Sequence, residues 1–214
     1  ELQKDAQVAE LLKKGNRDLG VLGFTDHSAA HTTLVAERAA YILRKLGYSE
    51  REQELAKIAG LLHDIGNSVN RTHHAEYGAL LAWDILRDKP LTLVERVTVI
   101  SAIGNHDESS AVPVSAVAAA LILADKSDVR RSRVRDKATV ALDIHDRVNY
   151  SVTDCHLEFD EQHTSIRLIL TVDTELGSVM EYLEIFMKRM LLCQKAAQAL
   201  GLTFHLVING QLLV

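Results

Sequence analysis

Apolar residues recur at helical spacing through about the first 150 residues of the chain. Positions three and four residues apart share one face of a helix, so this pattern predicts amphipathic helices. Ser49 and Glu52 form a capping-box pattern for a helix that runs to Leu62 or His63, with Gly66 as its terminator. Further helices are predicted over residues 2–15, 29–46, 73–87, 92–104 and 114–130. The pattern is typical of an all-α bundle with short connections.

The periodicity changes after about residue 150. In SIRLILTVD every second residue from Ile166 to Val172 is apolar, which predicts a half-buried strand. The preceding SVTDCHLEF, joined by DEQH, predicts the other strand of a hairpin. A long helix is predicted over 177–200, and the Asn-Gly pair in TFHLVINGQLLV predicts a second hairpin. We therefore expect a mostly α protein, with a helical domain over residues 1–150 and a small α+β appendage over 151–214.

Composition and charge narrow the function classes. The chain has 214 residues, of which 47% are hydrophobic and 25% charged, as in an ordinary globular protein. A net charge of −5 gives no overall basic field and argues against a nucleic-acid partner. Cys155 and Cys193 match no zinc spacing and are expected to be free thiols in a reducing compartment. No apolar stretch is long enough to span a membrane and the N-terminal segment lacks a secretory apolar run, so we expect a cytoplasmic protein.

Histidines and aspartates gather at the ends of the predicted helices. The candidates are His27, His31, His63, Asp64, His73, His74, His106, Asp107, Asp125 and Asp128. Asp125 differs from the rest because it lies inside the apolar helix AALILADKSD. A carboxylate there must be ion-paired, hydrogen-bonded or bound to a metal ion, since an isolated buried carboxylate would protonate. Imidazoles and carboxylates together are the ligands that Zn, Mn, Fe and Ni accept.

Two interpretations of these residues stay open at this point. A single histidine at a helix end is ordinarily a surface or capping residue, and Asp125 alone could form a salt bridge with a buried Arg or Lys. Several helices that each contribute one or two such groups to a shared interior are, however, a known way to build a metal site in a bundle. The set as a whole favours this second interpretation more than any single member does.

Four of these residues resemble a family signature. His31, then His63-Asp64 in LLHDIGN, then Asp125 in ILADKSD are similar in type and order to the motif of the HD-domain metal-dependent phosphohydrolases. The resemblance covers residues 22–135. It implies a helical fold and a metal site that these four residues hold.

Two further segments resemble the two-metal branch of that family. HHAEYGALL is similar to the segment in which a ligand histidine precedes a glycine by four residues, which favours His74, with Gly78, over His73. GNHDE is similar to the segment that supplies His106. The cyclic-dinucleotide phosphodiesterase subgroup has paired histidines there and a downstream Gly-Tyr-Pro. This chain has Asn105 before the histidine and no such tripeptide, which argues against that subgroup and against a third metal ion.

The resemblance implies a dinuclear hydrolase. The implied metal ligands are His31, His63, Asp64, His74, His106 and Asp125. Asp64 would be the bridging ligand and the catalytic residue, and the cofactors would be two divalent ions chosen from Fe, Mn, Zn, Ni and Co. A metal-activated hydroxide would attack the phosphoester or phosphoanhydride of a small phosphorylated substrate, for which we expect a nucleotide.

A short basic run, DKSDVRRSRVRDK, follows Asp125 in an otherwise acidic protein. At helical spacing Lys126, Arg130 and Arg133 would share a face, and guanidinium groups suit bidentate contacts with phosphate. The alternative is that these cations complement the dipole at a helix C-terminus. We expect one or two of them to bind substrate phosphate.

The remaining features concern structure and assembly. DIHDRVNYSV, which contains His145-Asp146, is interpreted as a linker into the appendage because no apolar helical run precedes it. The apolar strands of the appendage have free edges, which are often paired with a second copy, so we expect a homodimer.

Two alternative functions fit the same residues. The first is a non-catalytic sensor, in which the HD fold binds a nucleotide or metal ion and the appendage transmits the bound state to a partner. The second is an oxygenase that uses the same ligands for two iron ions, because ligand type does not determine the reaction. Saturable nucleotide binding without turnover would indicate the sensor, and oxygen consumption under reducing conditions would indicate the oxygenase.

Overall fold

A computed structural model describes residues 2–135 and 144–214 of the chain. They divide into two compact units, Glu1–Asp125 and Lys126–Val214, and each unit is described by itself. This division lies earlier in the chain than the predicted domain boundary at residue 150. The predicted domain assignment stays a prediction.

Helices build the first unit, as the hydrophobic pattern predicts. They are α1 (Ala6–Val21), α2 (Ala29–Lys45), α3 (Glu50–Leu62), α4 (His74–Ile85), α5 (Leu93–Gly104) and α6 (Ala116–Lys126), whose last residue begins the second unit. Two 3-10 helices, Leu2–Lys4 and Ile65–Ser68, precede α1 and follow α3. The predicted fold class, mostly α with a small C-terminal α+β part, is confirmed.

Local hydrogen bonds explain where several helices begin. The predicted capping box of α3 is present, with the Ser49 hydroxyl accepting from the Glu52 N–H and the Glu52 carboxylate accepting from the Ser49 N–H. Thr92 and Glu95 form the same arrangement at the start of α5. Such caps satisfy backbone donors that have no partner inside the helix.

Two predicted helix ends are wrong. The first helix was expected to stop at residue 15, but α1 continues to Val21, and Gly15 packs within it against the backbone around Asn67, where an added Cβ would lie 3.0 Å from the Ser68 nitrogen. The sixth helix was expected to run to residue 130, but α6 ends at Lys126. The basic run that follows is therefore not helical at the expected spacing.

The core of the first unit brings α2 and α3 into close contact. Gly60 lies against α2 so tightly that a Cβ atom there would come within 2.6 Å of the Ala36 Cα. Ala39, Ala56 and Ala59 are also fully buried, and small residues let two helix backbones approach each other. This contact fixes the spacing between the two helices that carry His31 and lead into His63.

The second unit is a mixed sheet with helices. Its elements are a 3-10 helix (Arg131–Arg133), α7 (Ile144–Ser151), β1 (Val152–Phe159), β2 (Ser165–Val172), α8 (Val179–Ala199), β3 (Thr203–Ile208) and β4 (Gln211–Leu212). The strand order is β1-β2-β3-β4, in which β2 and β3 are parallel and the outer pairs are antiparallel. Both predicted hairpins are present, and the crossover through α8 joins them into one sheet.

Local structure in the second unit corrects one prediction and confirms others. The segment with His145-Asp146 was interpreted as a linker, but it forms α7, whose buried residues include Asn149 and Ser151. Because polar residues occupy part of its buried face, the apolar period that signals a helix is missing. Asn209 and Gly210 both have positive φ angles, 51° and 79°, as the predicted Asn-Gly hairpin turn requires.

Burial and hydropathy in the described residues agree with the sequence-based expectations on thiols and membrane spans. Cys155 and Cys193 are both buried, and neither forms a disulfide within the part of the chain that the structure describes. The longest helix, α8, has 21 residues, but charged side chains interrupt it. None of the helices in residues 2–135 and 144–214 is both long and apolar enough to cross a bilayer.

Candidate metal centre

The predicted ligands lie at helix ends within the first unit, and all are buried. His31 lies in the first turn of α2 and His74 is the first residue of α4, whereas His63 and His106 follow the ends of α3 and α5. Asp125 is the penultimate residue of α6. Relative exposure ranges from 0% for His63 to 8% for Asp125.

Donor atoms converge into two overlapping groups. The first group is His31, His63 and Asp125, and the second is His63, Asp64 and His106; within each group the donor atoms lie within 4.8 Å of one another. Asp125 Oδ1 is 3.3 Å from His31 Nε2 and 3.7 Å from His63 Nε2. The imidazole rings of His63 and His106 are 5.0 Å apart between centroids.

Asp64 presents its two carboxylate oxygens to different histidines. Its Oδ2 is 3.6 Å from His31 Nε2 and 3.3 Å from His63 Nε2, whereas its Oδ1 is 3.8 Å from His74 Nε2. The His74 ring is in turn 5.1 Å from the ring of His106. The two oxygens of Asp64 thus face different donors, with His31 and His63 on one side and His74 on the other.

Backbone carbonyl groups determine the orientation of three of the imidazoles. The Nδ1 atoms of His63, His106 and His74 donate to the carbonyl oxygens of Gly60 (2.7 Å), Ile103 (2.6 Å) and Arg71 (3.1 Å), each three residues earlier. A carbonyl oxygen only accepts, so Nδ1 carries a proton in each ring, and Nε2 has a lone pair for a metal ion whenever the ring is neutral. Metal-binding histidines are held by the same kind of contact.

Two buried polar atoms show that the centre fits a cation. His63 Nε2 and Asp64 Oδ2 face each other at 3.3 Å, yet neither forms a hydrogen bond with any residue in 2–135 or 144–214. A buried polar atom without a hydrogen bond is costly. Burial opposes ionisation of Asp64, but the positive potential from His63, His27 and His31 holds the pKa of this carboxyl well below its usual range. A carboxylate that stays ionised is suited to binding a divalent ion.

Residues around Asp64 keep the His-Asp pair in position. The Asn67 side-chain amide donates to Asp64 Oδ1 at 2.8 Å and to the Asp64 carbonyl oxygen at 3.1 Å. Gly66 packs against the first turn of α4 so closely that a Cβ atom there would overlap the His74 carbonyl oxygen and the Gly78 nitrogen. These contacts hold the His-Asp turn against the helix that supplies His74.

Comparison with known families shows the family to which the chain belongs. A family model of the HD domain matches residues 29–153, more than half of the chain, and the match spans every predicted ligand. The chain belongs to the HD-domain family. This family falls within the superfamily of metal-dependent phosphohydrolases, whose members are generally hydrolases that bind divalent metals. The HD domain of this chain thus carries buried His/Asp clusters that fit a divalent metal site.

A relative of the HD-domain protein covers most of its length. An uncharacterized protein of Methanocaldococcus jannaschii is 29% identical over 207 residues, which covers 86% of this chain and 80% of the relative. The similarity therefore extends beyond the HD domain into the second unit. The description of that relative assigns no substrate.

The predicted substrate-binding residues lie in the second unit of the HD-domain protein. Lys126 is buried at the end of α6. Arg130 binds the buried Asp128 carboxylate through Nε (2.5 Å) and Nη2 (3.0 Å), and Arg133 donates to the Asp128 carbonyl oxygen at 2.8 Å. The expectation that these three share a helix face is wrong because α6 ends before Arg130. Their binding of substrate stays a prediction.

Arg71 is a residue at the HD-domain centre that the sequence prediction missed. Its Nη1 atom lies 3.4 Å from His74 Nε2. Asp107, a candidate from the sequence, also lies close to this histidine, with its Oδ1 atom 3.8 Å from Nε2. The signal that could have indicated Arg71 is its place in the short segment between the His-Asp pair and the next predicted ligand.

Proposed function

We propose that this HD-domain protein hydrolyses a phosphoester or phosphoanhydride bond of a small phosphorylated substrate, specifically a nucleotide, with two divalent ions. The observation that carries the proposal is the placement of Asp64, whose Oδ2 faces His31 and His63 while its Oδ1 faces His74. To bind a single ion, the Asp64 carboxylate would need to direct only one of its oxygens at the histidines. Donors on both sides of the carboxylate support a site for two ions.

The chain offers a distinct donor set for each ion. His31, His63 and Asp125 would hold the first, His74 and His106 the second, and Asp64 would bridge them. When bound, the divalent ions, among which Fe, Mn, Zn, Ni and Co suit these donors, lower the pKa of a water molecule and neutralise charge on a phosphoryl oxygen.

The residues of the chain contribute position and environment. The carbonyl groups that bind Nδ1 of His63, His74 and His106 keep their Nε2 lone pairs directed into the centre. Asn67 holds the Asp64 carboxylate in its orientation. Burial of the donors excludes bulk water, and the lower local dielectric constant would strengthen the attraction between bound cations and a phosphate group. Phosphoryl transfer requires mainly such positioning and charge stabilisation.

The test combines metal content with phosphate release. Metal per chain is measured by plasma mass spectrometry in the parent, Asp64→Ala, His106→Ala and a control, His156→Ala, whose exposed ring binds Asp154 on β1. We expect nearly two metal ions in the parent and the control, with a marked loss in the other two variants. Phosphate release from a panel of nucleotides with added Mn²⁺ or Fe²⁺ should be lost in parallel.

Other outcomes would change the proposal in defined ways. One metal ion that is lost in Asp64→Ala and kept in His106→Ala would indicate a mononuclear enzyme, with nucleoside monophosphates as the first substrates to test. Bound nucleotide without turnover would indicate the sensor. A parent that binds no metal even after reconstitution would refute the catalytic proposal.

A further inference from the structure

Arg71 is a cationic side chain beside the candidate metal centre. It precedes α4 and lies in the segment that connects the 3-10 helix Ile65–Ser68 with His74. The sequence prediction assigned phosphate binding to a basic run elsewhere in the chain. A role for Arg71 at the centre rests on the proposed phosphohydrolase function.

The Arg71 guanidinium contacts two residues of the centre through one nitrogen atom. Nη1 lies 3.3 Å from Asn67 Oδ1 and 3.4 Å from His74 Nε2. Because His74 Nδ1 donates to the Arg71 carbonyl oxygen, Nε2 is the accepting nitrogen of this ring. Arg71 Nη1 therefore points to the lone pair that a metal ion would use.

An aromatic ring supports the guanidinium from a second side. The Arg71 Cζ lies 5.3 Å from the centroid of the Phe24 ring, a cation–π distance. Phe24 lies between α1 and α2 and is 41% exposed. Asn67 and Phe24 thus contact the guanidinium on two different sides.

The guanidinium has donor atoms that remain for a ligand. Within residues 2–135 and 144–214, Arg71 Nε and Nη2 form no hydrogen bond and the side chain forms no ion pair with a carboxylate. Arg87 and Arg51 in the same unit do pair with carboxylates, those of Asp84 and Glu95. Nη1, which faces the centre, and Nη2 form a fork whose spacing matches two oxygens of a phosphate group.

We propose that Arg71 binds a phosphate group of the substrate at the metal centre through Nη1 and Nη2. The lone pair of His74 Nε2 cannot serve Arg71 and a metal ion at once, so the Nη1 donor becomes available to a phosphate oxygen when the centre is loaded. The link from Arg71 through Asn67 to the Asp64 carboxylate couples the position of this fork to the His-Asp pair.

Phosphate binding to defined variants tests the assignment. Inorganic phosphate is titrated calorimetrically into the Mn²⁺-loaded parent, Arg71→Gln, Arg71→Lys and the control Arg87→Gln, with metal per chain measured in each sample. We expect Arg71→Gln to bind phosphate about ten-fold or more weakly, since a charge-assisted hydrogen bond is lost. Arg71→Lys keeps the charge but not the fork and should be intermediate. Metal content should be equal in all four, and Arg87→Gln should bind phosphate like the parent.

Hydrolysis by the same variants separates failure of this assignment from failure of the proposed function. For a nucleotide that the parent hydrolyses, KM should rise about ten-fold or more in Arg71→Gln. Equal phosphate affinity and equal KM in parent and Arg71→Gln would overturn the assignment and leave the phosphohydrolase proposal standing. Loss of metal in Arg71→Gln would also overturn it, because Arg71 would then act through His74. A parent that neither binds phosphate nor releases it from any nucleotide would refute both proposals.

Discussion

Asn67 and Gly66 follow the His-Asp pair in the chain and hold it in place by opposite means. Asn67 provides an amide that donates to the Asp64 carboxylate and an oxygen that accepts from Arg71. Gly66 provides no side chain, which lets its backbone lie directly on the His74 carbonyl group. Asn67 thus orients the Asp64 carboxylate, and Gly66 lets the His-Asp turn lie close to the helix that begins with His74.

Gly66→Ala should disturb both stability and metal binding. The new methyl group would overlap backbone atoms of His74 and Gly78, which cannot move aside as a side chain could. We expect a loss of about 3 kcal/mol or more in the free energy of unfolding, together with weaker metal binding. Urea unfolding and metal content measure the two effects.

Gly104→Ala is the matched control for that substitution. It lies at the end of α5, where an added Cβ would meet Ala79 Cβ at 3.6 Å, an ordinary contact. A change within about 1 kcal/mol is expected there. Equal effects of the two substitutions would contradict the packing argument.

Asn67→Ala should weaken metal binding while leaving the fold intact. Loss of the amide leaves the Asp64 carboxylate without the donor that orients it, and loss of such supporting contacts typically lowers metal affinity about 10- to 100-fold. Competition with a chelator measures the affinity. Asn70→Ala serves as the control, because Asn70 lies in the same loop but caps Thr72. Unchanged affinity in Asn67→Ala would show that the carboxylate orients itself.

The sequence predicts the positions of these side chains better than their contacts. Glycine spacing favoured His74 over His73, and His74 is buried at the centre whereas His73 is exposed with a φ of 61°. Gly66 was expected to terminate a helix, but its role comes from tight packing. The position of Arg71 between two predicted ligands is visible in the sequence, but its contacts with Asn67 and His74 depend on the path of the loop after the His-Asp pair.

At the scale of elements, local signals determine what can be predicted. The capping box at Ser49 defines the start of α3 because its hydrogen bonds lie within four residues. The end of α1 was misplaced because Gly15, at its predicted end, lies inside the helix and packs on the segment after α3. Helix α7 was missed since its buried residues include polar ones such as Asn149.

Glu95→Gln should weaken the junction between α3 and α5 in a pH-dependent manner. The Glu95 carboxylate accepts from Arg51 on α3 (2.5 and 2.9 Å) and from the Thr92 N–H of its own capping box. These contacts, chiefly the hydrogen bond from Arg51, lower the pKa of Glu95 to about 2. The ionised group is therefore favoured in the folded state over the unfolded state, whose pKa is near the ordinary value of 4.5.

The expected difference in Tm between parent and Glu95→Gln follows from the sign of that shift. Because the folded-state pKa is depressed, the stabilisation is fully present above pH 4.5 and is lost as the pH falls toward 2. Thermal unfolding measured from pH 7 downward should show a lower Tm for the variant than for the parent. This difference in Tm should become smaller below pH 4.5. Glu10→Gln, at an exposed position on α1, should change Tm little at any pH. A Tm difference between parent and Glu95→Gln that did not change with pH would contradict the ion-pair explanation.

At the scale of the whole molecule, the metal centre lies within one unit and the sheet within the other. The family match ends at residue 153, close to the predicted boundary at 150, and so includes the beginning of the second unit. The sequence indicated both regions because its apolar residues recur at helical spacing in the first and alternate with polar residues in the second. It could not indicate the parallel pairing of β2 with β3, which depends on where α8 returns the chain. The cytoplasmic location stays a prediction.

Self-association is the prediction that concerns assembly. In the described sheet order, β1 is an outer strand of eight residues, and unpaired strand edges favour pairing with a second copy. We expect a homodimer at micromolar concentration, with a mass by light scattering of twice the 23.7 kDa chain. A monomeric mass at that concentration would contradict the prediction.

The carbonyl groups that bind the imidazoles affect which metal ions the centre takes up. Each of His63, His74 and His106 is tied to a carbonyl only three residues earlier. The rings consequently lose their rotational freedom when the chain folds, and metal binding incurs little additional ordering entropy. Donors ordered in advance do not readily adapt to ion radius. Ions of similar size should therefore exchange without rearrangement of the centre, and cellular supply would decide which of them occupies it.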